Sequence, residues 1–220
     1  ADAARSAAQH VTSPVIRAAA ELAIRHGIGL VLGYPELDDE RLFNSAAVFD
    51  KKGRLVHNYR KVTLPNDFER SCFLTGTGPQ VFEFEGVRCS VVICYDVEFP
   101  ELPRQVALAG AELLIVPTAL RACWRVVSEC LVPTRAYENG IYVAYCDYSA
   151  VGVKPQFSGS SAICGPNGKS VSGHVDSHGL ILGRIDTEAA GSHRSEFDFL
   201  EDLKKLNKAT GLAGRGPDPI

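Results

Sequence analysis

Short apolar runs of β-branched and aromatic residues alternate along this chain with stretches whose apolar positions recur every three to four residues. Gly, Pro, Asn and Asp punctuate the changes. Residues 12–26 carry the first helical pattern. Val15, Ala19, Leu22 and Ala23 define its apolar face, Ser13 is the expected N-cap, Pro14 the first-turn proline and Gly27 the stop. Strands are expected at 28–34, 42–49 and 55–62, joined by turns at 38–40 and 51–53 into a meander. Residues 63–79 lack periodicity, and a loop of that length is often functional. An edge strand at 81–86 then turns into a buried strand at 87–93, followed by a helix at 100–110, a strand at 113–116, a helix at 125–139 and a strand at 141–148. Segments 158–164 and 170–175 flank Gly165-Pro-Asn-Gly168 as a hairpin, and 180–185 is expected to close the sheet set. A charged helix lies within 187–206, and a Gly/Pro tail ends the chain. The alternation predicts an α/β fold with a mixed sheet in one domain over residues 1–220, with 208–220 as a flexible tail.

The pattern centres on residues 87–101. The apolar run Val91-Val-Ile93 gives way abruptly at Cys94 to polar and acidic residues, and Pro100 opens the next helix. Cys94 therefore sits where a buried strand ends in a strand–helix–strand unit, the edge at which α/β folds bind ligands. A cysteine is commonly a small buried hydrophobe. At this position the thiol can instead meet a substrate, and the adjacent helix N-terminus can help ionise it.

Composition narrows the setting. The net charge of -3 and the absence of any basic block give no electrostatic support for a nucleic-acid partner. No apolar run approaches the roughly 18–20 residues that span a bilayer, and the opening Ala1-Asp-Ala-Ala-Arg-Ser has no signal-peptide core. Seven cysteines without CxxC pairs argue against a disulfide framework or zinc site and for a reducing compartment, with the cytoplasm as the expected location. The sequence contains no methionine and begins inside a helical pattern, so further sequence is expected upstream.

A thiol hydrolase needs a proton carrier and an oxyanion stabiliser. His57 is the histidine nearest the motifs, and in a strand beside Asn58 it reads as a surface residue; the other histidines fall at helix ends, in turns or in the tail. Lys61 lies at a strand end just before the long loop. It is either a solvated strand-end lysine or an ammonium that lowers the Cys94 pKa and holds a developing oxyanion. Glu69, in the loop, is either an exposed carboxylate or a partner of that chemistry.

The string Ile93-Cys-Tyr-Asp-Val-Glu-Phe-Pro-Glu101 resembles the nucleophile motif of the nitrilase superfamily, the carbon–nitrogen hydrolases. Tyr59-Arg-Lys61 resembles its lysine motif, and Glu69 with Phe73 and Gly76 its second-glutamate loop. Gly33-Tyr-Pro-Glu with Phe43-Asn-Ser, Arg135-Ala-Tyr-Glu-Asn139 and Ser158-Gly-Ser-Ser with Gly165-Pro-Asn-Gly168 fit in the expected order, so the resemblance covers about residues 12–190. It implies a four-layer αββα sandwich lacking its N-terminal strand and helix here, no metal or organic cofactor, and a homodimer or larger assembly through the 125–139 helix and the tail. It also implies catalysis by Cys94, Lys61 and Glu69, with substrate contacts from Tyr95, Trp124 and Glu129. Trp124 could equally be a core residue. The Tyr95-Asp96 pair and the 67–71 loop look most like the aliphatic amidase branch, the 5-aminopentanamidase and ω-amidase-like proteins. The implied reaction cleaves a small aliphatic amide to acid and ammonia through a Cys94 thioester. The alternatives are a non-catalytic relative or a nitrilase proper. The resemblance gives Glu69 the role of positioning substrate or assisting proton transfer. No residue matches the family's first glutamate, its general base, which lies upstream of the first helix; Glu36 in Tyr34-Pro-Glu36 resembles its context but follows that helix.

Overall fold

The computed structural model of the protein describes residues 2–149, 156–170 and 179–210. Its strands are β1 (Leu30–Asp38), β2 (Arg41–Phe49), β3 (Leu55–Arg60), β4 (Phe82–Phe84), β5 (Val87–Val91), β6 (Leu113–Thr118), β7 (Tyr142–Asp147) and β8 (Ala162–Cys164). Its α-helices are α1 (Asp2–Ala7), α2 (Pro14–His26), α3 (Asp67–Cys72), α4 (Glu101–Leu108), α5 (Val132–Asn139), α6 (Thr187–Glu196) and α7 (Phe199–Thr210). The first three strands form an antiparallel sheet in the order β1-β2-β3. The other five form a mixed sheet, β4-β5-β6-β7-β8, with a parallel centre and an antiparallel strand at each edge.

The two sheets pack face to face. Ala46, Val48 and Tyr59 from the first join Val91, Val116, Val143 and Tyr145 from the second in one apolar core, which continues to Val106 of α4 and Val132 and Ala136 of α5. On the outer face of the first sheet, Ile16, Ala19 and Ala23 of α2 pack against Tyr34, Ala47 and Phe49. Helix, sheet, sheet and helices thus form the four αββα layers. Strand β2 has both faces covered, so nearly every residue in it is buried, including Ser45.

Local signals explain the element ends that position the site. The Ser13 side chain accepts a hydrogen bond from the Ile16 N–H, and Gly27 closes α2 in the left-handed conformation at φ 61°. The apolar face of α2 is rotated from the expected one: Ile16 is buried, whereas Val15 and Leu22 are exposed. Packing against a flat sheet selects the Ile16–Ala19–Ala23 stripe, and small alanines let the helix approach closely.

Several expectations need correction. The 63–79 loop contains α3. The continuous helix expected at 125–139 is a π-helical turn at Val127–Leu131 followed by α5, preceded by a 3₁₀ turn at Ala122–Trp124. Residues 180–185 form no strand, and Leu180 and Leu182 are exposed. The charged 187–206 segment is two helices, α6 and α7. Residues 208–210 end α7 and so are not tail, while 211–220 and the 171–175 half of the expected hairpin lie outside the described residues. Among the described residues no helix is long and apolar enough to cross a membrane.

Candidate active site

Cys94 opens a 3₁₀ turn, Cys94–Glu98, immediately beyond β5. Its φ of 49° puts a non-glycine residue in the left-handed region, a conformation costing on the order of 1–2 kcal/mol. Such strain persists only where the surroundings hold it and is concentrated at functional positions. Here it turns the side chain out of the sheet at the C-terminal end of the parallel strands. The backbone N–H groups of Ala119 and Tyr95 are aimed at the thiol. Ala119 follows β6, and its loop is tied down from both sides. Asp147 of β7 accepts the Leu120 N–H at 2.8 Å, Ser158 donates its own N–H to the Leu120 carbonyl at 2.8 Å, and Asp147 also accepts from the Ser158 hydroxyl and the Ser160 N–H.

Lys61 arrives from the opposite sheet. Its backbone extends the β2–β3 ladder, donating to the Asn44 carbonyl at 2.8 Å and accepting from the Gly76 N–H at 2.9 Å. Gly76 must be glycine, because a Cβ there would collide with the Arg60 carbonyl oxygen. The Lys61 side chain is only 1% exposed, and its ammonium donates to both oxygens of Glu69, at 2.8 and 3.1 Å. Glu69 is presented by α3, whose N-cap Asn66 accepts the Glu69 N–H at 2.9 Å. The Asn66-x-x-Glu69 spacing is the sequence signal that could have found this helix, which was expected to be loop. In this case the glutamate reaches Lys61 rather than back to the cap.

Burial pushes the Cys94 thiol above its ordinary value. The Lys61 ammonium and the Ala119 and Tyr95 N–H groups pull it back down, and the Glu69 carboxylate opposes them. The thiol is therefore held as an acid that becomes a nucleophile when its proton is removed. No histidine is among the groups whose charge acts on it. His57 is not a surface cap: it stacks on Phe82 with ring centroids 4.4 Å apart, its Nε2 buried without a partner among the described residues, and burial lowers its pKa.

Sequence reasoning overlooked four residues around this centre. Asp96, wholly buried, accepts the Tyr59 hydroxyl at 2.8 Å, the Ile93 N–H at 3.0 Å, the Thr63 N–H at 2.9 Å and the Thr63 hydroxyl. Arg135 donates to the Val97 and Glu98 carbonyls at 3.0 and 2.8 Å, fixing the far end of the Cys94 turn to α5. Glu98 is half-buried. Desolvation raises its pKa, while the nearby Lys61 and Arg135 charges lower it. Tyr145 is buried close enough to Cys94 and Glu98 for their charges, after burial itself, to raise its phenol pKa. Asp96, Glu98 and Arg135 stand inside quoted motifs, but the motif pattern does not say which way a side chain points.

Of the residues expected to bind substrate, Tyr95 is half-buried and meets Phe99 edge-on at 5.0 Å. Trp124 is 59% exposed, so it is no core residue. Glu129 is also exposed, on the π-helical turn whose buried Val127 and Ser128 pack beside the Cys94 turn. The structure does not bring either side chain into the Lys61–Glu69–Cys94 cluster. Glu36 lies in a different place, saturated by Arg60, Ser45 and Asn58. A pocket of about 280 Å³ runs along the free edge of β3, lined among others by Phe43, His57, Arg60 and Gln80; it includes none of the three cluster residues.

The arrangement is a thiol, an ammonium, a carboxylate and two backbone donors converging at a sheet end. Comparison with known proteins gives this geometry its family. The carbon-nitrogen hydrolase model matches residues 2–195. A hydrolase encoded in the pqqF 5' region of Pseudomonas protegens is 34% identical over 193 residues, 87% of this chain and 68% of that protein. A 2-oxoglutaramate amidase of Bacillus subtilis is 28% identical over 82% of this chain and 71% of its own length. An amidase from Nesterenkonia sp. AN1, solved with acrylamide added to its active-site cysteine, superposes with a TM-score of 0.74 at 33% identity, over 84% of this chain and 74% of that one. The chain belongs to the carbon–nitrogen hydrolases of the nitrilase superfamily, as an amidase-type enzyme with a cysteine nucleophile.

Proposed function

We propose that the protein hydrolyses small aliphatic amides to the carboxylic acid and ammonia through a thioester on Cys94. The carrying observation is the meeting of a strained, partly shielded cysteine with the buried Lys61 ammonium, which follows the opposite sheet, and its half-buried partner Glu69 on α3. Cys94 Sγ bonds to the amide carbon, and the carbonyl oxygen becomes an oxyanion facing the Lys61 ammonium and the Tyr95 N–H. Glu69 takes the thiol proton and returns it to the amide nitrogen, so that ammonia leaves when the C–N bond breaks. Water then attacks the thioester, with Glu69 again accepting the proton; the acid departs and the thiol is restored.

The substrates that fit this reading are short amides bearing a distal charged group, such as 5-aminopentanamide or an ω-amide acid. The 2-oxoglutaramate amidase among the relatives acts on a molecule of this kind by name. Tyr95 lines the site, and Glu129 with Trp124 forms an outer rim where a substrate ammonium is received. A homodimer built on α5, and residence in the reducing cytoplasm where seven free thiols persist, complete the proposal.

The test is ammonia release from 5-aminopentanamide and glutaramate, with wild-type protein beside Cys94→Ala. Release should fall by at least about three orders of magnitude in the variant, as expected when a covalent nucleophile is removed. Release independent of Cys94 would overturn the thiol mechanism. Faster turnover of the matching nitriles would replace the amide reading with a nitrile one.

A further inference from the structure

Cys94 and Lys61 belong to different sheets, and no hydrogen bond joins their side chains directly among the described residues. What connects them is Asp96. One of its oxygens, Oδ2, accepts from the Tyr59 hydroxyl and from the N–H of Ile93, the residue before Cys94. The other, Oδ1, accepts from the N–H and hydroxyl of Thr63. Tyr59 and Thr63 stand two residues before and two residues after Lys61. The carboxylate therefore grips the Lys61 segment on both sides while bonding the backbone that leads into the nucleophile. Tyr59 is 2% exposed, and burial together with the Asp96 charge keeps its phenol protonated as a donor.

We propose that Asp96 is a positioning residue that sets the spacing between the Cys94 thiol and the Lys61 ammonium across the two sheets. All four of its partners offer a hydrogen, so the site fits an acceptor-only group. An asparagine has nearly the same shape but must turn its NH₂ toward one pair of donors. Either the Ile93 or the Thr63 backbone N–H then faces another donor, and a buried N–H loses its acceptor. Asp96→Asn thus loosens either the nucleophile's end of the link or the lysine's, with little change in volume.

The proposal rests on Cys94 and Lys61 being the reacting pair, and its test does not require turnover. The measurement is the rate of Cys94 alkylation by iodoacetamide against pH, in wild type, Asp96→Asn, Lys61→Met and the double variant. The groups facing the thiol are the Lys61 ammonium, the Glu69 carboxylate and the Ala119 and Tyr95 N–H groups, with Tyr145 and Glu98 as further titratable neighbours. Lys61→Met should slow alkylation at neutral pH about tenfold, the loss of thiolate that a one-unit upward shift brings. Asp96→Asn should do the same in part, and should add nothing in the Lys61→Met background, because its effect runs through that ammonium. Tyr59→Phe, which deletes one of the four bonds, should give a smaller slowing in the same direction and serves if Asp96→Asn does not fold. A normal Lys61-dependent profile that Asp96→Asn and Tyr59→Phe leave unmoved, with only thermal stability reduced, would overturn the proposal. A profile that Lys61→Met itself leaves unmoved would instead overturn the role given to Lys61.

Discussion

Two carboxylate–cation pairs stand one residue apart at the end of β3, and they are used differently. Arg60 turns outward to Glu36, which also accepts from Ser45 and Asn58. That buried carboxylate accepts four hydrogen bonds, three at Oε2 and one at Oε1, and the network ties β1, β2 and β3 together. Lys61 turns toward the nucleophile and meets Glu69, whose side chain accepts from the lysine ammonium only, among the described residues. A saturated ion pair has no capacity left for a substrate and holds structure. An unsaturated one beside a thiol keeps a proton acceptor and donor available. The comparison also separates Glu36, despite its Pro-Glu context, from the Cys94 cluster: its partners are Arg60, Ser45 and Asn58.

Exchanging each glutamate for glutamine separates the two roles. Glu69→Gln should lower kcat for amide hydrolysis by about 10²- to 10⁴-fold, the usual worth of a positioned acid–base, while costing little in thermal unfolding. Glu36→Gln should leave the activity of folded molecules near wild type yet destabilise the protein by about 3 kcal/mol, because it leaves Arg60 half-paired in a partly buried network. Equal losses of activity from the two, measured per folded molecule, would erase the distinction. Gly76→Ala sharpens it at the backbone. The added methyl strikes the Arg60 carbonyl between the two pairs, and a cost of about 1–3 kcal/mol is expected from urea unfolding. The smallest effect is expected at Glu98. Its pKa is raised in the folded state chiefly by desolvation, so its favourable contribution is complete below the ordinary carboxylate range and is lost as pH rises through the folded value. In Glu98→Gln that part of the decline in stability with rising pH should be missing from Tm measured across mildly acidic pH.

Much of this was legible beforehand where a local rule acts alone. Ser13, Pro14 and Gly27 bounded α2 because caps are decided by neighbouring backbone groups. The abrupt end of the apolar run at Cys94 marked the strand end for the same reason. What escaped was decided by contacts between elements. The buried face of α2 depends on which alanines fit the sheet, so Val15 and Leu22 misled. Helix α3 has none of its residues buried, so no apolar periodicity marked it and its stretch read as loop. Leu180 and Leu182 looked like strand residues, yet both are exposed and lie outside any strand. At the site, Lys61 and Glu69 were visible as motif residues, but the burial that sets a strand-end lysine beside Glu69 and the thiol is a property of the sandwich. Asp96 was visible only as part of the nucleophile motif, and its four donors come from two separate stretches of chain, residues 59–63 and Ile93.

Because the thiol is carried by one sheet and the ammonium by the other, the proposed reaction centre lies across the seam of the sandwich. A slide of one sheet over the other by a fraction of a residue would leave both sheets folded and hydrogen-bonded while pulling the two groups out of alignment. Turnover is therefore a gauge of how the layers are docked. As denaturant or heat loosens the seam, catalysis should fail before the strands themselves come apart.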